Sequence, residues 1–570
     1  MPTLNWIGKE AVVRHHREVP FRLLEPVPEL SCGGADSGNL IVQGDNLHAL
    51  KALLPRYAGQ VNCIYIDPPY NTGNEGWVYN DNVSSPEIRR WLGAVVGKEG
   101  ETLDRHDRWL CMMYPRLVLL RQFLRDDGAI FVSIDDNEVG NLQALMREVF
   151  GTGNEVATVV WQKGKKGDSK LVSITHEYIL AFARNKALLN DRKVKWRRKK
   201  PGVGDVLEHY AGLCSKHGPN HENIRKDLMG WYREMPQTDP RKAHKHYNWS
   251  DNRGLYFAAD FAGPDDGREN RPRYPIIHPV TRQPCAIPST GWRWEQETTT
   301  AALAQDPPRI HFGKDHTTIP NRKSYLCEID DEPMMSVFYK DGRAATLEVE
   351  SILGAGAFPF PKDSEAIADL IGMVAAPGDI VLDSFSGSGT TAHAVLKLNQ
   401  HLSVPMRFIL VEIDRDVAQT KTRERVRKAI EGFVPLTGKK RMPVTGLGGG
   451  FQFCRLSAEP LFDPTGQVRA DVTFAQLAEF VWFAETGTGF TGTADGPLIG
   501  IHEGRAIYLL YNGILKDQSA AGGNVLTGPV FDSLPRFAGP KVIYAAANRL
   551  GSRTAREGIT FKQTPYALDV

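Results

Sequence analysis

The chain has 570 residues, 41% apolar and 24% charged, with a net charge of +2 and seven scattered cysteines. That length exceeds what one hydrophobic core serves and predicts two to four domains. The charge balance excludes a polycation. The odd, unclustered cysteines argue against a disulfide framework and fit a reducing cytoplasm, and neither a signal peptide nor an apolar run of the ~18 residues that span a bilayer is expected.

Residues 1–38 read as an N-terminal arm. A first strand, Leu40 to Gln43, leads through Gly44-Asp45-Asn46 into a helix carrying Leu47, Leu50, Leu53 and Leu54, for which Asp45 or Asn46 is a suitable N-cap. The next strand, Asn62 to Ile66, runs into Asp67-Pro68-Pro69-Tyr70. Prolines lack N–H groups and fix φ, so the chain must leave the sheet there, at the edge where open α/β sheets bind ligands. The turn offers the Asp67 carboxylate and the Pro68 carbonyl as acceptors beside the flat ring of Tyr70. Such a cluster suits a planar ring bearing an exocyclic amine.

The stretch from Asn71 to Gly100 is polar and reads as a long loop beside the site. Trp109, Leu110, Met113, Leu117, Leu120 and Leu124 follow at helical spacing and read as core. Asp126-Asp127-Gly128 is expected to end that helix, ahead of a strand from Ala129 to Ile134. Asp135-Asp136-Asn137-Glu138 opens another helix; acids suit a helix N-terminus and need no catalytic role there. Val156 to Trp161 and Tyr178 to Phe182 read as strands, with His176-Glu177 at the entry to the second.

From about Arg184 the texture changes. Arg192 to Lys200 is a basic run around Trp196, and Trp231-Tyr232-Arg233, His244 to Trp249, Arg271 to Tyr274 and Trp292-Arg293-Trp294 repeat the mixture. Cations neutralise phosphates, and aromatic and Arg side chains stack on or read bases, so this region is expected to recognise nucleic acid. Cys214, His217 and His221 have loose zinc-ligand spacing but lack a fourth ligand nearby.

A second motif lies far downstream. The strand Ile380 to Asp383 enters Ser384-Phe385-Ser386-Gly387-Ser388-Gly389-Thr390-Thr391, and a helix through Ala392, Val395 and Leu398 begins. Glycines between a strand and a helix N-terminus let a cofactor approach the backbone. The third glycine of a dinucleotide fingerprint and the lysine of a P-loop are missing. The neighbouring strand, Arg407 to Val411, ends in Glu412, placed to accept two ribose hydroxyls.

Asp-Pro-Pro-Tyr paired with Phe-x-Gly-x-Gly and a strand-end acid resembles the amino-methyltransferases of DNA. The order of catalytic element, basic insertion and cofactor loop resembles their beta group, especially the modification subunits of type III restriction systems. The likeness runs from about residue 39 to 455, with a departure at Ser384 and Ser386, where small or turn-compatible exchanges are found. It implies S-adenosylmethionine as cofactor, with Asp67, Asp383, Phe385, Ser386, Gly387, Ser388, Gly389, Thr390, Thr391 and Glu412 at its site. It also implies a contact from Asp45, which capping explains equally well. Lys362, after Phe360-Pro361, matches an element closing the methionine end, or is an ordinary surface lysine. Asp67, Pro68, Pro69 and Tyr70 would be catalytic, without metal.

The expected fold is α/β. A Rossmann-like methyltransferase sheet (residues 39–190 and 351–455) is interrupted by a target-recognition insertion (191–350). A small C-terminal α/β domain (456–570) follows. The resemblance implies adenine-N6 methylation of double-stranded DNA through a flipped base, within a restriction-modification or phage-defence system. Homodimers and a restriction subunit are the partners it suggests, and no membrane. Cytosine-N4 methylation, methylation of RNA or a protein glutamine, and a recognition subunit that delivers a nuclease are the alternatives.

Overall fold

The computed structural model describes residues 3–34, 37–72, 105–164, 169–237, 239–267, 270–438, 441–511 and 524–564. Much of the polar loop predicted after Asn71 lies outside them. The chain divides into two compact units, residues 197–334 and the remainder.

The larger unit is built on a ten-stranded sheet. Its strands are β1 (Arg22–Pro26), β2 (Leu40–Gln43), β3 (Val61–Ile66), β4 (Leu124–Ile134), β5 (Glu155–Gln162), β6 (His176–Ala183), β7 (Val337–Tyr339), β8 (Ile380–Asp383), β9 (Arg407–Glu412) and β10 (Gln452–Pro460). The order across the sheet is β1-β10-β2-β9-β8-β3-β4-β6-β5-β7. The six strands from β10 to β4 are parallel, β6 runs against both neighbours, and β1 closes the far edge antiparallel to β10. All residues of β3 and β8 are buried, as expected where helices cover both faces of a parallel sheet.

Helices connect the strands: α1 (Asn46–Tyr57), α2 (Arg105–Phe123), α3 (Val139–Phe150), α4 (Gly342–Leu353), α5 (Ser364–Val374), α6 (Thr390–Asn399) and α7 (Arg423–Glu431). From β8 the chain passes through α6 to β9 on one side. From β3 it passes through α2 to β4 on the other. The connections therefore diverge between β8 and β3, the switch point beyond which open α/β sheets bind ligands.

Three boundaries differ from expectation. The N-terminal arm contributes β1, because alternate pairing with β10 satisfies an otherwise open edge. Residues 191–196 and 335–350, expected in the insertion, belong to the larger unit, the latter because β7 extends the sheet beside β5. The C-terminal region has its own four-stranded sheet, β11 (Leu498–His502), β12 (Arg505–Leu509), β13 (Lys541–Ala545) and β14 (Ile559–Gln563). Its helix α8 (Phe474–Thr486) nevertheless shares the main core, with Phe480 edge-on to Phe21 at 4.9 Å. The acidic Asp126-Asp127-Gly128 also lies inside β4 rather than before it.

Among the described residues the smaller unit holds three α-helices, Val203–His217, His221–Glu234 and Gln296–Leu303, and an antiparallel sheet of Trp249–Asp251, Gly254–Ala259, Ile310–His311 and Asn321–Tyr325. Tyr232, Tyr247, Tyr274 and Trp292 are buried in it, so part of its aromatic content is core. The unit carries 21 Lys and Arg against 19 Asp and Glu. Several cations pair internally, as in Lys323–Asp251 at 2.7 Å and Arg198–Glu332 at 2.9 Å. Basic character is thus local to stretches such as 192–200. His217 contacts Asp227 at 2.8 Å and His221 contacts Ser250 at 3.1 Å, which gives both imidazoles of the loose zinc pattern other partners. All seven cysteines are free. Among the described residues no helix is long and apolar enough to cross a membrane.

Candidate active site

The C-terminal ends of β3, β8 and β9 open into a cleft of ≈ 940 Å³. Asp67 to Tyr70, Lys362, Asp383, Phe385 to Ser388, Thr390, Thr391 and Glu412 all line it. Two motifs more than three hundred residues apart in sequence therefore share one space, because β3 and β8 are hydrogen-bonded neighbours. Gly389 lies just behind the lining. Asp45 lies outside it: its carboxylate caps α1 through the His48 N–H at 3.0 Å and sits 3.6 Å from Arg116. The capping role is the one the structure gives it.

At the Asp67-Pro68-Pro69-Tyr70 turn, the Trp109 indole donates to the Pro69 carbonyl at 2.7 Å. Asn71 takes a left-handed φ of 59° and donates to the buried Glu138 carboxylate, which also meets His106 at 2.7 Å and Asn141 at 2.8 Å. The Tyr70 hydroxyl donates to Glu177 Oε2 at 3.3 Å, and burial together with Asp67 and Glu177 raises its pKa well above the ordinary tyrosine value. Asp67 Oδ2 accepts from Lys362 Nζ at 2.7 Å, while its Oδ1 is buried without a partner among the described residues. Lys362 is 7% exposed, lines the cleft and stands 4.8 Å from the Tyr70 ring, so it is not an ordinary surface lysine. Burial works against its charge, but the Asp67 and Glu177 carboxylates outweigh that and raise its pKa.

The glycine loop is arranged around two buried acids. Asp383 accepts from the Phe385 N–H at 2.9 Å and from the Thr391 hydroxyl at 2.5 Å. Glu412 accepts from the Gly387 N–H at 2.8 Å and the Asp414 N–H at 3.1 Å. Burial pushes both carboxyls up to about 7. Gly387 and Gly389 have φ of 47° and 79°, which L side chains rarely adopt. A Cβ on Gly389 would sit 3.2 Å from the Thr422 carbonyl. Behind the loop, fully buried Arg425 donates to Ser388 at 2.8 Å, Thr390 at 2.9 Å and Glu348 at 2.9 Å.

This donor set fits a nucleoside-bearing cofactor. The Ser386 hydroxyl is buried without a partner among the described residues, and two strand-end carboxylates offer lone pairs to hydroxyl donors. The apolar Phe358 and Phe385 rings border the same space.

Sequence reasoning missed Lys163, Glu138 and Arg425, and left Glu177 open. Lys163 Nζ meets Glu177 Oε2 at 2.5 Å, and burial with the neighbouring Lys362 lowers its pKa. Strand spacing could have placed Lys163 and Glu177 together, since Glu177 pairs with Trp161 at one end of the β5–β6 ladder and Lys163 lies two residues further along. Arg425 and Glu138 act through long-range contacts that leave no local pattern.

The sequence model of the DNA methylase family matches residues 61–422, from β3 to the helix behind the glycine loop. The Mod subunit of the EcoP15I type III restriction-modification enzyme of Escherichia coli is 33% identical over 426 residues, 72% of this chain and 64% of that protein. This chain thus spans less than two thirds of that relative. The StyLTI Mod subunit of Salmonella typhimurium is 29% identical over 543 residues, 86% of this chain and 74% of its own. The solved PvuII DNA methyltransferase (cytosine-N4-specific) overlays loosely, with a TM-score of 0.30 and 11% identity over 68% of this chain and 86% of that one. With nearly two thirds of its residues matched by the family, including both sides of the cleft, the chain belongs to the DNA methylase family.

Proposed function

We propose that this chain is a site-specific DNA methyltransferase that transfers a methyl group from S-adenosylmethionine to adenine N6 in duplex DNA. The observation that carries the reading is the Asp67-Pro68-Pro69-Tyr70 turn facing the glycine loop across one cleft. S-adenosylmethionine, when bound, supplies a methyl group already activated on a sulfonium.

The chain's residues do the remaining work. Glu412 and Asp383 hold the nucleoside end, with the Gly387 and Gly389 turn admitting it to the backbone. Lys362 faces the amino-acid end. The target amine's lone pair is delocalised into its ring, so Asp67 and the Pro68 carbonyl would accept its two N–H bonds and orient the nitrogen. As it gains the methyl group from the sulfonium, which leaves as a thioether, the nitrogen would shed one proton by way of Asp67. Positioning and electrostatics supply the gain, and no covalent enzyme intermediate is required. An amine stacked in a duplex is out of reach, so the base is flipped into the cleft and Tyr70 stacks on it.

The relatives are subunits of restriction-modification enzymes. A role in such a system, a restriction subunit as partner and a homodimer on the duplex belong to this reading, as does DNA recognition by residues 197–334 with the basic run before them. Aspartate rather than serine at position 67 favours adenine over cytosine. The test is transfer from labelled S-adenosylmethionine to unmethylated genomic DNA, followed by nucleoside analysis. N6-methyladenine is the expected product. N4-methylcytosine would correct the base, and tight DNA binding with no methylation would favour a recognition subunit.

A further inference from the structure

Five polar side chains from separate segments meet at the Asp67 end of the cleft. Lys163 follows β5, Glu177 lies at the start of β6, Asp67 and Tyr70 follow β3, and Lys362 precedes α5. Lys362 Nζ stands 2.7 Å from Asp67 Oδ2 and 3.7 Å from Glu177 Oε2. Glu177 is 5% exposed, lines the cleft, and keeps its Oε1 buried without a partner among the described residues. Lys163 and the Tyr70 hydroxyl hold the other oxygen.

This arrangement bears on how Asp67 becomes available. In the protein as it stands, Asp67 Oδ1 is buried and the other oxygen, Oδ2, accepts a charge-assisted bond from an ammonium, which is stronger than a bond from a neutral amine. Both carboxylates face the same Nζ, and each keeps one oxygen buried without a partner among the described residues, so Glu177 has the capacity to take on a further donor. We infer that Glu177 is a positioning residue for methyl transfer: it receives the Lys362 ammonium when the target amine claims Asp67. A shift on the order of 1 Å closes the longer of the two gaps, within the flexibility of a lysine stem. The ammonium stays paired throughout, so the more deeply buried charge is never left uncompensated, while Asp67, whose side chain is 26% exposed, exchanges it for the N–H bonds of the amine. Tyr70, tied to the same Glu177 oxygen, links this exchange to the ring on which the base stacks. The inference rests on the methyltransferase reading above.

The test is single-turnover methyl transfer at saturating cofactor and DNA for the wild-type chain, Glu177→Gln, Lys362→Met and the double variant. Glu177→Gln keeps the shape and removes the charge that would receive Lys362. Transfer is expected to slow by roughly 10²-fold, the scale of a misplacement of about 1 Å at a reacting group. In the Lys362→Met background the competitor is gone, so adding Glu177→Gln should change the rate by no more than about twofold, the usual margin for additivity. Glu177→Asp, which keeps the charge but withdraws it, should recover part of the rate lost in Glu177→Gln. A merely structural role for Glu177 would instead slow both backgrounds alike. A Glu177→Gln rate equal to wild type, a double variant slowed by the product of the single effects, or a Glu177→Asp rate no better than Glu177→Gln would overturn the inference. An inactive wild-type chain would overturn the methyltransferase reading and this inference with it, whereas an active wild type with an active Glu177→Gln would sink the inference alone.

Discussion

The two ends of the cleft solve the burial of acid groups in opposite ways. At the Asp67 end, carboxylates alternate with lysines: Lys163, Glu177, Lys362 and Asp67 form a chain of ion pairs. At the glycine end, Asp383 and Glu412 accept hydrogen bonds from backbone N–H groups and one hydroxyl and, among the described residues, form no ion pair. Burial there wins, and both carboxyls titrate near neutrality. The first end keeps its charges fixed, as suits a place where an amine must be oriented. In the proposed reading the second receives hydroxyl donors, which favour the ionised carboxylates.

The sharpest way to break this comparison is at Asp67. Asp67→Ala should lower methyl transfer by at least about 10³-fold, on the scale of losing a preorganised group at the reacting atoms. Its melting temperature should stay near wild type, and an active variant would refute the catalytic assignment. Behind the glycine end, Arg425→Met should destabilise the fold by about 3 kcal/mol, because it leaves part of a buried ion-paired network unmatched; denaturant unfolding measures this. Its partner Glu348 is held down to about 2, since Arg425, His393 and Lys397 outweigh the burial that would raise it. That contribution is present above the ordinary glutamate range and is lost as pH falls towards 2.

The glycine-end acids have the opposite sign. Their folded pKa values are raised, so their contribution to stability is full below the ordinary carboxylate range and falls away as pH rises through about 7. A ligand donating hydroxyls to Glu412 favours the ionised form. Cofactor affinity should therefore rise between pH 6 and 8, by at most about tenfold per unit for one group. Glu412→Gln should weaken binding and flatten that rise; calorimetry across the range checks both. The smallest effect is expected at Gly387→Ala, where a left-handed backbone costs a side chain about 1–2 kcal/mol and the new Cβ meets the Phe358 ring at 3.1 Å.

Legibility in the sequence followed the locality of each feature. The catalytic turn and glycine loop each sit on a strand exit, so a few consecutive residues declare them. Glu412 was readable for the same reason. Glu138 was legible only in part: the helix start suggested by the acidic run is there, with Glu138 just before Val139–Phe150, but nothing local showed that its side chain is buried and holds Asn71 and His106. The left-handed Asn71 has no glycine to announce it. In the smaller unit, the helix His221–Glu234 buries Ile224, Leu228 and Tyr232 at four-residue spacing, a pattern that the surrounding basic and aromatic residues masked. The aromatic content there suggested base contacts, and part of it proved to be core. Charge paired across the fold, as in Lys323–Asp251, cannot be seen in a linear run.

The most direct test of the divided cleft is a crystal structure of the chain with S-adenosylhomocysteine. The account predicts ribose hydroxyls on Glu412, the adenosine against the Gly387 turn, and the sulfur facing Asp67. A ligand bound outside this cleft, or one that leaves Glu412 without a hydroxyl donor, would contradict it.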